Sequence, residues 1–334
     1  LKVLGIDTSC DDTSCAVVED GTRVLSSIVS SQYDLHAKYG GVVPEIASRK
    51  HLEMMIPVVE ESLSAASLEM RDIDAVAVTH GPGLLGSLLV GVCYAKSLAF
   101  GLGIPVVGVH HLAGHISANF LREDPPPFPL VNLVVSGGHS DLILMRGQGS
   151  YELLGETRDD AAGEVFDKVA RELGLPYPGG PHLDRVADEG DPDLVRFSHP
   201  KMEGNQRDFS FSGTKTRALQ EFRARGSNEE CVASISASLR KSIVRDLLFN
   251  VADIVKETGA KAFAISGGVA ANSLLRKEAE SLSRKLGIPL FIPPKKYCTD
   301  NGAMIASAGF FMIQAGHTSG LDLDAESGLE LFSW

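Results

Sequence analysis

Val3–Asp20 reads VLGIDTSCDDTSCAVVED: an apolar run, a turn built from Ser, Asp and Thr, and a second apolar run. Two short apolar runs around small polar residues predict a β-hairpin. The same order returns at Leu130–Gly147, LVNLVVSGGHSDLILMRG, so the chain reads as a duplicated unit. Between the copies, the patterns predict a helix over residues 39–66, a strand at DAVAVTH, a helix at LLGSLLVGVCYAKSLAFG, a strand at PVVGVH and a short helix carrying histidines. Strands alternating with helices imply an α/β domain whose sheet is covered on both faces. REDPPPFP, Arg122–Pro129, fixes φ repeatedly and serves as a linker. This sets a first domain over 1–128 and a second over 129–300, with the 301–334 tail helix returning to the first. In the second domain the sequence predicts a helix at DDAAGEVFDKVARELG, an irregular polar stretch from Tyr177 to Gly213, and one long helix from Cys231 to Thr258. A strand, Gly-Gly turn and helix follow over residues 260–287.

A chain of 334 residues, 44% hydrophobic, can bury two ordinary cores. No apolar run reaches the eighteen or so residues of a membrane span, and LKVLGIDTSC shows no export pattern. The expectation is a cytoplasmic protein with no membrane partner. Five cysteines without a CxxC argue against a disulfide framework or a thiolate zinc site. The net charge of -12 discourages nucleic-acid binding overall, but residues 201–300 carry 17 Lys+Arg against 11 Asp+Glu. That region is either a set of solvated helix faces or a surface for a polyanion.

Three turns share one design, in which a strand ends, small residues reverse the chain and backbone N–H groups are left free to meet an anion. They are Asp7–Thr13, Ser136–Ser140 and Ser266–Asn272. Each is also compatible with an ordinary hairpin or helix cap. HGPGLLGS contains GxGxxG between a strand and a helix, but the next strand ends without the acidic residue that a dinucleotide ribose requires. A tight turn with close helix packing is the preferred reading there. No GxxxxGK[ST] occurs.

VHHLAGHISANF, Val109–Phe120, places His111 and His115 four apart, on one helical face. Such a pair can share a metal ion, or arise by chance or as a cap. A third ligand must come from elsewhere, and Asp300 in TDNGA stands just before a helix. Two histidines and one carboxylate suit Zn or Fe(II) and leave positions open for substrate. A metalloprotease needs HExxH, and here Leu112 follows the first histidine. Asp11 and Asp12 occupy the first turn. Asp160, Glu164 and Asp167 recur at i, i+4 and i+7, as a solvated acidic face or as a face whose last member accepts from ribose hydroxyls.

GIDTSCDDT, YGGVVPEIASRKH, THGPGLLGSLLVG, VHHLAGH, VVSGGHS, DDAAGEVFDKVAR, PYPGGPHLD, DFSFSGTKT, ISGGVAAN and YCTDNGAMIA run in order along essentially the whole chain. Together they resemble the TsaD family, long known as Gcp, in its bacterial form. The resemblance implies a duplicated actin-like, Hsp70-like, sugar-kinase-like two-domain α/β fold with an inter-domain cleft. It implies transfer of threonylcarbamoyl from threonylcarbamoyl-AMP to the exocyclic amine of the adenosine beside the anticodon, in tRNAs reading codons that begin with A, with release of AMP. Carried onto this chain, it gives His111, His115 and Asp300 to one divalent ion, Fe(II) or Zn(II). Val134, Val135, Ser136, Gly137 and Gly138 then cradle the adenylate, and Asp167, Gly180, Asp184 and Asn272 contact its ribose and base side. Asp11 and Asp12 are the catalytic carboxylates, the second one methylene shorter than the Glu common in the family. The implied partners are tRNA, TsaB on the N-terminal domain, TsaE as an ATPase, and TsaC as supplier of the adenylate. The rival readings are a metalloprotease, from which the family's older name derives, and a kinase or ATPase of the same fold.

Overall fold

The computed structural model describes residues 1–331 and 333–334. Lys2–Asp7 (β1) and Asp12–Glu19 (β2) pair antiparallel, with Asp7 opposite Ser14, and Arg23–Ser31 (β3) extends the sheet beyond β2. A short helix, Tyr33–Ala37 (α1), precedes Pro44–Ala66 (α2). The helix expected from Tyr39 therefore starts five residues late. Gly40 holds a left-handed φ of 69°, and Pro44 supplies a helix-ready φ in the first turn. Ala75–Gly81 (β4), Leu85–Leu102 (α3), Val106–His110 (β5) and His111–Ser117 (α4) follow. The strand order is β3-β2-β1-β4-β5, with β4 parallel to β1 and β5 parallel to β4.

Alternation along these buried strands divides two cores. Val3, Ala16, Ala77 and Val109 face one side, while Leu4, Val17, Val76 and Val78 face the other, against α2 and α3. One expectation needs correcting: α3 is itself 18 residues long and apolar enough to cross a membrane. Its composition passes because Gly, Ser, Cys and Tyr interrupt the apolar residues with only one charge, Lys96. Here the helix lays Leu88, Val92, Ala95 and Ala99 on the sheet.

The second sheet repeats the first. Leu130–Val135 (β6) pairs antiparallel with Ser140–Gly147 (β7), and Ser150–Gly155 (β8) lies beyond it. Ala162–Glu172 (α5), Gly179–Val186 (α6), Ser212–Arg225 (α7), Glu229–Leu248 (α8) and Val251–Thr258 (α9) lead to Ala262–Ser266 (β9), Ser273–Leu286 (α10) and Leu290–Phe291 (β10). The order β8-β7-β6-β9-β10 matches the first sheet position for position, including the parallel β6–β9 and β9–β10 pairs.

Two elements differ from the sequence reading. The stretch expected to be irregular contains α6, which tertiary anchors hold despite its opening Gly-Gly-Pro: Leu183 is buried, and the Gly180 amide donates to Asp167. The helix expected to run from Cys231 to Thr258 breaks at Phe249–Asn250, where the Asn250 side-chain amide donates to the Gln206 carbonyl.

The chain divides into a unit of residues 1–126, 147–151 and 293–334, and a unit of residues 127–146 and 152–292. The final crossing falls at 292/293. Asp300 therefore belongs to the first unit, not to a domain ending at residue 300. The tail helix Gly302–Gln314 (α11) packs on β1, β2, β4 and α4 within that unit.

Candidate metal centre

β5 runs directly into α4, and His110 caps the junction: its Nδ1 accepts from the Leu112 amide while its Nε2 lies 3.0 Å from the Leu329 carbonyl. His110 is thereby committed to structure, and His111 and His115 turn inward one helical turn apart. Their rings meet edge to face, with centroids 4.6 Å apart. Asp300 reaches them because α11 is docked so tightly on β1. A Cβ on Gly302 would sit 2.5 Å from the Gly5 carbonyl oxygen, and Asn301 caps the helix through the Met304 amide.

Asp300 Oδ1 lies 3.5 Å from His111 Nε2 and 3.3 Å from His115 Nε2, and one donor atom from each of the three residues falls within 4.8 Å of the others. Asp7, wholly buried at the end of β1, stands 3.8 Å from His111 Nδ1. Both ring nitrogens of His115, His111 Nδ1 and Asp7 Oδ2 are buried without a hydrogen-bond partner. Orphaned imidazole nitrogens converging on a carboxylate are costly unless something else binds them, and the donor set suits a divalent ion. His111, His115 and Asp300 therefore have the chemistry and the spacing to hold such an ion.

Burial opposes charge on His111, but the carboxylates of Asp300 and Asp7 outweigh it and lift the imidazole to about 9. Burial likewise works against the Asp300 charge, and the two imidazoles overcome it, holding that carboxyl well below its usual range. Desolvation raises Asp12 to about 7 against a hydrogen bond from Ser31, with Asp300, Asp11 and Asp7 adding repulsion, and its Oδ1 has no partner. Asp7 was legible only as the end of a strand, because nothing in GIDTS separates a ligand-facing carboxylate from a turn residue.

In the second unit Val134–Gly138 and Asn272 stand at or just after the carboxyl ends of β6 and β9, where open α/β sheets place their ligands, while Asp167 lies on α5 and Gly180 and Asp184 on α6. Val134 and Val135 end β6, and the Ser136 hydroxyl accepts from the Gly138 and His139 amides. Side chains at Gly137 and Gly138 would meet open space. At Gly267, φ is 87° and a Cβ would lie 2.3 Å from the Val135 carbonyl oxygen, so the two Gly-Gly turns abut. Asp167 Oδ1 accepts from the Gly180 amide, and Asp184 accepts from the Ser273 amide and hydroxyl and from Arg240. Asn272 caps α10 through the Leu275 amide. The acidic face of α5 is not simply solvated: Asp160 pairs with Lys168 and Lys215, and Glu164 with Lys168. The glycines of HGPGLLGS serve close packing, since a Cβ on Gly83 would strike the Ser9 carbonyl oxygen at 2.5 Å.

Next to the Ser136–Ser140 turn, burial first and Glu156 second push Asp141 up to about 7. A carboxyl raised from 3.8 in the folded state contributes stability at acid pH that is lost as pH rises through about 7. Asp141→Asn should therefore flatten the fall in urea-unfolding free energy between pH 5 and pH 8 by about 2 kcal/mol. Parallel curves for the two proteins across that range would refute the assignment.

The model of the TsaD family, described as tRNA N6-adenosine threonylcarbamoyltransferase, matches residues 23–307. Curated relatives of that name include one from Symbiobacterium thermophilum, 54% identical over 98% of this chain and 96% of the relative. Another, from Anaeromyxobacter dehalogenans, is 51% identical over 99% of both chains. Among solved structures, HypF of T. kodakarensis superposes with a TM-score of 0.65 at 15% identity, over 94% of this chain and 48% of HypF. This chain spans about half of HypF, and the likeness bears on the fold alone: a duplicated two-domain α/β fold of the actin-like, Hsp70-like and sugar-kinase-like kind. With family motifs matched along nearly its whole length, the chain belongs to the TsaD family.

Proposed function

We propose that this enzyme transfers threonylcarbamoyl from threonylcarbamoyl-AMP to the exocyclic amine of the adenosine beside the anticodon, in tRNAs reading codons that begin with A, and releases AMP. The observation that carries the reading is the buried His111–His115–Asp300 cluster, whose orphaned nitrogens lie in a chain that matches tRNA N6-adenosine threonylcarbamoyltransferases over its full length. A divalent ion held there, Fe(II) or Zn(II), supplies Lewis acidity toward the carbamoyl carbonyl. The amine nitrogen bonds to the carbamoyl carbon, the carbon–oxygen bond to phosphate breaks, and AMP leaves with the electron pair. The amine's proton goes to the Asp11–Asp12 turn, where Asp12 offers a buried oxygen without a partner.

In the second unit, Val134–Gly138 present backbone donors to the adenylate, and Asp167, Gly180, Asp184 and Asn272 serve its ribose and base side. The Asp184 carboxylate does so from a position already fixed by Arg240 and Ser273. An anticodon-loop adenosine is already single-stranded, so presenting it costs less than extraction from a duplex. The protease reading has no support in the geometry. The place of its general base is taken by Leu112, a buried core residue, and no acid lies within HLAGH.

TsaC supplies the adenylate, TsaE is the ATPase partner, and TsaB docks on the first unit, where α2 and α3 leave Leu52, Ile56, Leu85 and Leu89 exposed. The setting is the cytoplasm. The full chain with TsaB, TsaC, TsaE, threonine, bicarbonate, ATP and unmodified tRNA should form threonylcarbamoyladenosine, and omission of any partner should lower the yield. No product from intact components, with native modified tRNA as a detection control, would sink the reading.

A further inference from the structure

The Asp11–Asp12 turn, closed by the β1–β2 pairing, is also clamped from α2. His51, wholly buried in the second turn of that helix, places its Nε2 3.0 Å from the Cys10 carbonyl oxygen and its Nδ1 2.7 Å from the Thr13 hydroxyl. One imidazole thus spans the two residues that bracket Asp11 and Asp12. We infer that His51 is a positioning residue, a neutral imidazole fixed as its Nε2–H tautomer, that sets the placement of the Asp11 and Asp12 carboxylates for transfer. This rests on the function proposed above.

The tautomer follows from the partners. A carbonyl oxygen can only accept, so Nε2 must carry the hydrogen. Burial keeps the ring neutral, lowering its proton affinity below that of an ordinary histidine. Nδ1 then has only a lone pair, and the Thr13 hydroxyl donates to it. Of the two neutral tautomers, only this one satisfies both ends of the ring. A second tie comes from the same helix: the Gln32 amide donates to the Asp11 carbonyl, and the Gln32 side chain donates to the Ala47 carbonyl of α2. The turn is held on either flank, while its carboxylates remain outside these bonds.

A catalytic carboxylate displaced by about 1 Å can cost two orders of magnitude in rate. In the full chain with its partners, His51→Ala should lower kcat about 30-fold, with KM for tRNA changed less than twofold and metal content unchanged. His51→Asn keeps an acceptor near the Nδ1 position and should recover a substantial part of that loss. Thr13→Val, which deletes the hydroxyl at nearly constant volume, should resemble His51→Ala. Equal loss in His51→Asn and His51→Ala, a loss expressed in KM, or metal lost together with rate would each overturn the proposal.

Long-range proton–nitrogen correlation spectra of the wild-type protein give a readout independent of activity and of whether a variant folds. The His51 ring, assigned by the signal that disappears in His51→Asn, should show the Nε2–H pattern, and an Nδ1–H pattern would refute the clamp. If wild-type protein forms no modified nucleoside, the proposed function fails, and the ring pattern still decides the geometry of the clamp.

Discussion

His115→Ala is expected to leave a folded protein that no longer retains its metal, and to reduce nucleoside formation by about a thousandfold, the scale of several kcal/mol of lost charge stabilisation in the transition state. His115 is 1% exposed, and neither ring nitrogen has a well-formed hydrogen bond, so within the metal-free protein its removal costs only the 3.3 Å approach of Nε2 to Asp300. The variant loses some packing and the approach to Asp300, but sheds a buried Nδ1 that nothing satisfies. Its metal-free stability should therefore stay close to that of metal-free wild type. Wild type, by contrast, gains stability from added metal in proportion to RT ln(1 + [metal]/Kd) and loses it to a chelator. Elemental analysis and melting curves with and without chelator distinguish the two proteins. A His115→Ala protein that retains one ion per chain, or whose melting temperature falls on chelation as far as that of wild type, would remove the ion from α4.

Gly302→Ala should cost about 3 kcal/mol or more and lower the melting temperature by about 6–12 °C. A Cβ there would lie 2.5 Å from the Gly5 carbonyl oxygen, 2.7 Å from the Ala16 amide nitrogen and 2.8 Å from the Cys15 carbonyl carbon. All three obstacles are backbone of paired strands, so no side chain can swing aside. α11 must back away from β1, and it carries with it Asp300, two residues upstream. Metal retention should fall along with stability. Gly101→Ala, at a helical glycine with open space around it, is the matched control and should be neutral or slightly stabilising. Equal melting temperatures for the Gly302 and Gly101 variants would show that the close approach of α11 to β1 is not a constraint.

Local periodicity made much of this architecture legible. The alternation in VLGIDT and CAVVE sets Val3 and Ala16 on one face and Leu4 and Val17 on the other, and the recurrence at Leu130–Gly147 announced the second sheet. Where the sequence reading failed, a distant contact had overruled a local preference. α6 opens with Gly-Gly-Pro and survives because Asp167 holds the Gly180 amide, and the α8–α9 break follows a tie from Asn250 to Gln206. The site divides in the same way. The spacing of His111 and His115 is enough to put both on one face of a helix, and His110, one residue earlier, is left to cap it.

The two repeated sheets, the histidine pair and the missing protease base at Leu112 were legible along the chain, because period-2 and period-3.6 patterns depend only on near neighbours. The meeting of Asp300 and Asp7 with that pair, the grip of His51 on the Asp11–Asp12 turn and the last crossing at 292/293 came only from long-range packing. Those contacts join residues far apart in sequence through the docking of α11 and α2 on the first sheet. Their geometry is set by backbone approaches such as Gly302 on Gly5, which leave no periodic trace in the chain.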